Sequence, residues 1–435
     1  MQARTEPVPN CVSDILRLRA EFSADVLAIA AVNSTVGSTE MTYGAWWQKA
    51  TKIASVIGSQ GWSSGQRCAL AFTAGRWPEL AAAYFGAVIA GVVPVLLTPG
   101  ELREYSYTYL ANDLGVVGVL ADENTSGHPL ETITYRNALE SEVPELVDFP
   151  GPFCGQDALD IVLTSGTTGR PKALQSTHEN WAPKKPLTSL VRRNTCVVAG
   201  IPMRTSTALH GMIIGSLERG VSTVFVDEPT VASLVRTFAR AINSHDAREA
   251  STTPLVICPL ADENLLEEVK GDLQNLRYLK VFAGPIPPRV GRVLGQVLPK
   301  TKVISVYGLT EGGRAVLTAI YDSKKPHSIG RPVGETQISV RHSGDGSACD
   351  PNCVGDIFVR VAGEAPLLSI SGDSEVKGRV LDGWVRTGDI GYRDELGSVY
   401  LMGRENDIVP TSGGGRLKAY ELEAQILAVP GVSEA

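Results

Sequence analysis

The segment that decides the fold reads Leu163-Thr164-Ser165-Gly166-Thr167-Thr168-Gly169-Arg170-Pro171-Lys172-Ala173, and it follows the apolar pair Ile161-Val162. Its glycines permit positive φ and close backbone approach, so amide N–H groups and hydroxyls can converge on phosphate oxygens. Lys172 adds a positive charge. A Walker loop is disfavoured, because Lys172 lies between Pro171 and Ala173 and the proline resists a helix starting there. The segment predicts a different kind of phosphate loop; the alternative is an exposed hairpin turn.

On both sides of this loop, amphipathic helical patterns alternate with short apolar runs. The alternation extends over 41–120 and returns over 195–307, which is typical of βαβ units with helices on both faces of a parallel sheet. After Gly330 short alternating runs punctuated by Gly and Asp favour a small antiparallel sheet or barrel. We predict an α/β fold: two doubly wound βαβ subdomains, a small antiparallel β-barrel subdomain, and the start of a small α+β C-terminal domain.

The length of 435 residues favours about three lobes, at roughly 100–200 residues per domain. We place a large N-terminal part at 1–402 and a hinge with the beginning of a C-terminal domain at 403–435. The large part divides into α/β lobes at about 1–190 and 191–329 and a β-rich lobe at 330–402. The last predicted element is a helix over Ala419–Ala428.

Charge and hydropathy exclude several classes of partner. The net charge of −7 disfavours general affinity for nucleic acid or for an anionic membrane. The longest apolar run, Leu80–Leu97, is interrupted by glycines and a proline. It predicts a buried helix over Trp77–Ala90 and a buried strand over Val92–Leu97, rather than a membrane span. The first residues show no secretory signal pattern, and we expect a cytoplasmic protein.

Seven cysteines are scattered through the chain without a CxxC motif, which fits a reducing cytoplasm. Cys349 and Cys353 form the one close pair. Because no second pair of ligands follows them in sequence, we favour structural cysteines in a loop over a metal site.

Three further motifs follow the glycine-rich segment. Tyr307-Gly308-Leu309-Thr310-Glu311 comes after an apolar strand pattern and offers an aromatic face, a hydroxyl and a carboxylate, which suit adenine, phosphate and Mg²⁺. Trp384–Tyr392 contains Asp389, whose carboxylate can accept hydrogen bonds from two hydroxyls. Gly403-Arg404 with Asp407 comes next. An ordinary surface turn is the alternative for each motif taken alone.

In this order, these motifs resemble the signatures of the adenylate-forming superfamily. That superfamily includes acyl- and aryl-CoA synthetases, adenylation domains of nonribosomal peptide synthetases, and beetle luciferases. The resemblance extends from about Met41 to the end of the chain. It implies that ATP and a carboxylic acid form an acyl-adenylate with Mg²⁺, and that coenzyme A or a phosphopantetheinyl carrier protein then accepts the acyl group.

The resemblance also assigns roles to individual residues. It implies a catalytic set of Lys172, Thr310 and Glu311, with Glu311 as the Mg²⁺ ligand. It implies a nucleotide-binding set of Thr164, Ser165, Gly166, Thr167, Thr168, Gly169, Gly284, Pro285, Ser305, Tyr307, Gly308, Thr310, Asp389 and Arg404. It implies an acid pocket of Arg204, His210, Ala283, Gly284, Gly308 and Gly312, and a pantetheine channel at Gly413 and Gly414.

One stretch of the sequence restricts the class of carboxylic acid expected as substrate. Between Ile201 and Gly215 no acidic residue is present to pair an ammonium group, so an amino-acid substrate is disfavoured. Arg204 can bind a second carboxylate of the substrate or lie at the surface, and we favour the surface. His210 can line the pocket or be a core histidine with backbone partners.

We therefore expect an acid–CoA ligase. Family members carry a lysine further along the C-terminal domain that acts in adenylation, and we expect this sequence to stop before that position. Two alternatives stay open: a protein of the same fold that performs only thioester formation on a preformed acyl-adenylate, and a non-catalytic nucleotide- or acyl-binding member.

Overall fold

The computed structural model describes residues 8–9, 11–34, 37–105, 107–122, 129–144, 154–164, 172–184, 187, 195–203, 205–310, 315–360, 368–369, 380–410, 416–418, 422 and 426. Within these ranges the α-helices are α1 Val12–Ser23, α2 Tyr43–Ser59, α3 Trp77–Ile89, α4 Pro99–Glu104, α5 Tyr135–Glu140, α6 His178–Trp181, α7 Gly215–Arg219, α8 Val231–Ser244, α9 Pro254–Ile257, α10 Glu263–Val269 and α11 Pro288–Val297. Short π-helices occupy Tyr109–Asp113 and Thr207–Ile214, and 3₁₀-helices occupy Cys258–Ala261 and Glu405–Asp407.

The strands alternate with these helices in the first two thirds of the chain and dominate the last third. They are β1 Leu27–Asn33, β2 Gly37–Thr42, β3 Arg67–Ala71, β4 Val93–Leu97, β5 Val116–Ala121, β6 Glu131–Thr134, β7 Ala158–Thr164, β8 Lys172–Thr177, β9 Cys196–Gly200, β10 Ser222–Val226, β11 Glu249–Thr252, β12 Tyr278–Val281, β13 Lys302–Gly308, β14 Ala315–Ile320, β15 Ser328–Pro332, β16 Gln337–Arg341, β17 Gly355–Arg360, β18 Leu368–Ser369, β19 Val380–Leu381, β20 Trp384–Arg393, β21 Val399–Arg404, β22 Ile408–Pro410 and β23 Arg416–Lys418.

The chain divides into two compact units. The first comprises residues 1–229 and 367–373, and the second comprises 230–366 and 374–435. These units are defined by packing, and they do not decide the lobe boundaries expected from the sequence, which stay predictions.

The first unit contains a seven-stranded sheet in the order β18-β8-β7-β4-β3-β5-β6. Its strands β7, β4, β3, β5 and β6 run parallel, and β8 closes one side antiparallel to β7. Buried aliphatic side chains cover these strands, as expected for a parallel sheet with helices packed on it. Helices α2 and α3 pack closely, because a Cβ at Gly86 would lie 2.6 Å from Cγ2 of Ile53. The same unit holds β9, β10 and β1 in parallel, with β2 antiparallel to β1.

The second unit starts as a parallel sheet and continues antiparallel. Strands β11, β12 and β13 are parallel, and β14, β15, β21, β20, β17 and β16 follow antiparallel. Its antiparallel part packs around Leu317, Ile357 and Val385. Along β20 buried residues alternate with more exposed ones, so Thr387 and Asp389 point to the same buried face.

The predicted α/β class with parallel-strand sheets is confirmed, as is the change to short antiparallel strands after Gly330. The interrupted apolar run forms α3 and β4, close to the bounds expected. No helix in the described ranges is both long and apolar enough to span a bilayer. The helix expected over Ala419–Ala428 falls mostly outside the described residues.

Candidate functional site

The glycine-rich segment is flanked by two paired strands. β7 ends at Thr164, β8 begins at Lys172, and these two residues face each other in the antiparallel register. Pro171 is thus followed by a strand, in agreement with the expectation that no helix starts there. Lys172 is 4% exposed. Five residues that were expected to bind the nucleotide, Ser165, Gly166, Thr167, Thr168 and Gly169, lie outside the described residues.

The second unit brings Tyr307 and Asp389 together. The hydroxyl of Tyr307 donates a hydrogen bond to Oδ2 of Asp389 at 2.5 Å. Asp389 is 6% exposed. Burial and the adjacent Asp389 carboxylate raise the pKa of Tyr307 well above its ordinary value. The phenol therefore stays protonated near neutral pH and acts as a hydrogen-bond donor.

Arg404 lies across from Asp389 in the register of β20 and β21. Its Nε lies 3.3 Å from Oδ1 of Asp389, and its side chain is 71% exposed. The carboxylate therefore contacts a half-buried neutral partner, Tyr307, and an exposed cationic partner, Arg404. An exposed ion pair of this kind contributes at most about 1 kcal/mol, so the arginine can exchange its contact at little cost.

Thr387 holds this carboxylate in place and was missed by the sequence reasoning. Its Oγ1 donates to the carbonyl oxygen of Ile357 at 2.9 Å and accepts from the backbone N–H of Asp389 at 3.0 Å. The available signal was its position two residues before Asp389 in a strand, which places both side chains on one face.

Of the other expected nucleotide and acid-pocket residues of this unit, Ala283, Gly284 and Pro285 follow β12, and Ser305 and Gly308 lie in β13. Ala283 has a φ of 63°, which is unusual for a residue with a side chain. A Cβ at Gly284 would lie 2.9 Å from Cγ of Pro254, so a larger residue does not fit there without movement. Ser305 is buried in β13. Described residues of the same set are Pro285, Gly308 and Thr310, whereas Glu311 and Gly312 lie outside the described residues.

His210 belongs to a separate buried cluster in the first unit. Its Nε2 lies 2.7 Å from Oδ2 of Asp160, and its Nδ1 lies 2.8 Å from the Ser206 hydroxyl. Its ring stacks on Trp181 with centroids 4.0 Å apart. The structure thus gives this histidine side-chain partners, where a core role with backbone partners had been the alternative to the acid pocket.

Asp160 is the centre of that cluster. Tyr84 donates to its Oδ2 at 2.7 Å and Ser176 donates to its Oδ1 at 2.5 Å. Burial by itself raises the pKa of Asp160, but the charge of His210 and the hydrogen bonds it receives outweigh this and lower the pKa. Asp160 was not among the residues expected from the sequence, although a single acid within the apolar strand ALDIVLT was a usable signal.

His178 lies in the same unit. It is 2% exposed, and its Nδ1 accepts a hydrogen bond from the backbone N–H of Val12 at 3.2 Å. Burial lowers its pKa from 6.5 to about 4, against the opposing charges of nearby carboxylates that include Asp160. His178 is therefore neutral at physiological pH.

Three remaining expectations cannot be compared with the structure. Arg204 of the acid pocket and Gly413 and Gly414 of the pantetheine channel lie outside the described residues.

The chain is similar to a known protein family and to several named ligases. A family model described as AMP-binding enzyme matches residues 19–366. A 2-succinylbenzoate–CoA ligase from Bacillus licheniformis is 25% identical over 451 residues, with 97% of this chain and 85% of the relative covered. A long-chain-fatty-acid–CoA ligase from Mycobacterium tuberculosis is 27% identical over 447 residues, with 97% and 84% covered.

The fold also matches a solved structure. The o-succinylbenzoate CoA synthetase of Bacillus subtilis, in complex with its acyl-adenylate intermediate, has a TM-score of 0.79 at 20% identity, covering 100% of this chain and 85% of that one. At this identity the likeness concerns the fold.

Proposed function

The chain belongs to the AMP-binding enzyme family, and on that premise we propose that it is an ATP-dependent, AMP-forming acid–CoA ligase. In the first half-reaction a carboxylate oxygen attacks the α-phosphorus of ATP, giving acyl-AMP and pyrophosphate. In the second, the thiol of CoA attacks the acyl carbon, giving the thioester and AMP. The observation that carries the proposal is the pairing of buried Asp389 with Tyr307 and exposed Arg404.

Asp389 is suited to a nucleotide ribose. A carboxylate has two oxygens that accept hydrogen bonds, and a ribose offers two neighbouring hydroxyl donors. Thr387 fixes the backbone of Asp389, so the acceptor is oriented before a ligand arrives. Arg404, at 71% exposed, is free enough to turn from the carboxylate toward a phosphate oxygen while the pocket keeps its shape. Tyr307 supplies an aromatic face for adenine.

The remaining chemistry is charge neutralisation. Bringing a carboxylate to ATP joins two anions, so cations must stabilise the phosphates during attack. In the first unit this role falls to Lys172 and to the hydroxyls and amides of Thr164–Gly169. In the second it falls to Thr310 and to Mg²⁺ on Glu311. When bound, Mg²⁺ supplies positive charge to the phosphate oxygens.

The acid we propose is a small carboxylic acid other than an amino acid, and the acyl acceptor is CoA. Relatives named as 2-succinylbenzoate–CoA and long-chain-fatty-acid–CoA ligases support this class, as does the absence of an acidic residue between Ile201 and Gly215. The proposed acid-pocket set remains Arg204, His210, Ala283, Gly284, Gly308 and Gly312. A phosphopantetheinyl carrier protein is the alternative acceptor, and the assay below includes one.

The test is ATP–pyrophosphate exchange with a panel of aromatic keto acids, fatty acids, dicarboxylic acids and amino acids. We expect exchange with at least one non-amino acid. Lys172→Ala should lower it at least about 100-fold, the scale of removing one electrostatic contact to a transition state. Asp389→Asn should lower it about 10-fold or more, the scale of a hydrogen bond to a charged group. Glu335→Gln, an exposed carboxylate of the second unit, is the matched control and should leave exchange unchanged.

Thioester formation is then measured with CoA and with a carrier protein as acceptors. No exchange with any acid, combined with thioester formation from supplied acyl-AMP, would show that only the second half-reaction is catalysed. Binding of AMP without either reaction would show a non-catalytic member of the family.

A further inference from the structure

A second cluster of chemically reactive side chains lies in the second unit, and none of its residues has been given a role above. His342, Cys349 and Cys353 place one ligand atom each within 4.8 Å of one another. The spacing of the cysteines alone had favoured structural thiols, because no second pair follows them. The fold supplies the third ligand from a hairpin instead. We propose that His342, Cys349 and Cys353 bind one zinc ion.

The hairpin fixes the position of His342. It follows β16, and its backbone N–H donates to the carbonyl of Ser347 at 2.9 Å. The preceding Arg341 lies over the ring of Phe358, 4.7 Å from the ring centroid. Arg341 also forms an isolated bridge with Ala348, which brings the chain back beside the strand just before Cys349.

The two cysteines are held by a tight turn. The backbone N–H of Cys349 donates to the carbonyl of Val340 at 2.8 Å, and that of Cys353 donates to the carbonyl of Asp350 at 3.1 Å. Asn352 has a φ of 66°, the left-handed conformation that lets the chain reverse within so few residues. A Cβ at Gly355 would lie 2.8 Å from Sγ of Cys349, so this sulfur is packed against the backbone.

The geometry suits zinc. Tetrahedral ligation with Zn–S of about 2.3 Å and Zn–N of about 2.0–2.1 Å separates neighbouring ligand atoms by roughly 3.5–3.8 Å. The three atoms need to move by about 1 Å or less to meet that requirement. Both thiols lose a proton to solvent on binding, so the two thiolates neutralise the ion.

The surroundings favour a soft divalent cation that keeps one open position. Asp345 and Asp350 both act electrostatically on Cys349, which adds negative potential around the site. Two sulfurs and one imidazole select zinc over magnesium or calcium, which prefer oxygen ligands. His342 is exposed, so water completes the tetrahedron. The bound ion would join the hairpin at 342–348 to the turn at 349–354.

The test is a Co²⁺ titration of the full chain, reduced with a phosphine and freed of metal, followed by displacement with Zn²⁺. We expect one tightly bound ion per chain, sulfur-to-cobalt charge-transfer absorption and tetrahedral d–d bands. His342→Ala and the Cys349→Ser/Cys353→Ser double variant should each weaken Zn²⁺ binding at least about 100-fold, above the ~10–100-fold cost of an outer-sphere change.

Cys258→Ser is the matched control, because Cys258 is a partly buried cysteine of the same unit outside the cluster. It should titrate like the natural protein. His342→Ala changes an exposed side chain, so it keeps the test decisive if the double variant folds poorly. An unchanged titration in His342→Ala and in the double variant, or saturation with Co²⁺ without charge-transfer absorption, overturns the proposal. So does a Cys349–Cys353 disulfide that survives the reductant.

Discussion

Asp160 and Asp389 are both buried carboxylates, with 0% and 6% of their surface exposed, yet they are satisfied in different ways. Asp160 accepts hydrogen bonds from Tyr84 and Ser176 and pairs with His210, whose own side chain is 1% exposed. Asp389 pairs with Arg404, whose side chain is 71% exposed. The Asp160 carboxylate is surrounded by buried protein groups, an arrangement that we call a closed cluster. The Asp389 carboxylate has a partner that is accessible to solvent.

The difference separates a structural from a binding role. Removing a partner from a closed buried cluster leaves an unsatisfied charge, which costs several kcal/mol. Exchanging an exposed arginine for a ligand hydroxyl costs little, because the arginine returns to water. We therefore expect Asp389 to exchange a partner for a ligand, and Asp160 to stabilise the first unit and hold His210 in position.

The largest effect is expected for Asp160→Ala. It orphans the buried donors of Tyr84, Ser176 and His210, and we expect a loss of about 3–5 kcal/mol in the free energy of unfolding. Urea denaturation followed by tryptophan fluorescence is the measurement, and Trp181 contributes to the signal beside the cluster, because its ring stacks on His210. Asp389→Ala, measured alongside, should cost markedly less. Equal losses in both variants would contradict the distinction.

The next effect is a pH dependence in the first unit. The folded-state pKa of His178, about 4, lies below its ordinary value of 6.5, so the unfolded chain binds more protons between these values. Stability should be fully present above pH 6.5 and fall by about 3 kcal/mol as the pH drops through that window. His178→Asn keeps a hydrogen-bond acceptor and should flatten this slope. A slope unchanged from the natural protein would contradict the assignment.

A smaller effect is expected for the open carboxylate. Asp389→Asn removes the charge that would accept the ribose hydroxyls, and we expect AMP binding to weaken by about 1.5–3 kcal/mol, the range for hydrogen bonds to charged groups. Calorimetric titration with AMP is the measurement. Unaltered AMP affinity, with the fold intact by circular dichroism, would show that Asp389 does not hold the nucleotide.

The smallest effect is expected for Arg404→Ala. An exposed side chain that shares one ion pair with Asp389 should change the free energy of unfolding by no more than about 0.5 kcal/mol. Thermal unfolding measures it, with Arg236→Ala as the control, because Arg236 also forms an exposed ion pair, with Glu268. If Arg404→Ala lowered the free energy of unfolding by more than about 2 kcal/mol and Arg236→Ala did not, Asp389 would belong to a closed cluster like that of Asp160.

Local patterns predicted much of the fold. The division of the apolar run into α3 and β4 follows from its glycines and proline, and the strand after Pro171 follows from the cost of starting a helix there. The resemblance to the adenylate-forming superfamily is confirmed by the family match. Of the expected site, Tyr307, Asp389 and Arg404 are brought together: Asp389 and Arg404 face each other on the neighbouring strands β20 and β21, and the Tyr307 hydroxyl reaches Asp389 from β13.

What local patterns could not predict is contact between distant elements. The cluster around Asp160 draws one side chain each from α3, β8 and the π-helix at Thr207–Ile214. The acid within an apolar strand indicates a buried carboxylate, but no single segment indicates which side chains surround it. The parallel pairing of β1 with β10 is also a contact between segments that are far apart in the sequence, so local patterns could not predict it. His342 likewise comes close to the cysteine pair because of a hairpin, and the spacing between the two cysteines does not indicate a nearby histidine.

The π-helix at Thr207–Ile214 has a consequence for sequence length. The N–H of Gly215 donates to the carbonyl of His210, five residues back, so this turn holds one residue more than an α-helical turn. A one-codon deletion there would rewind the turn to α geometry and keep the backbone hydrogen-bonded. Residues on either side would rotate by about 100° against each other. Such a deletion would therefore change the direction of His210 without breaking the backbone hydrogen bonds, at the cost of its pairing with Asp160.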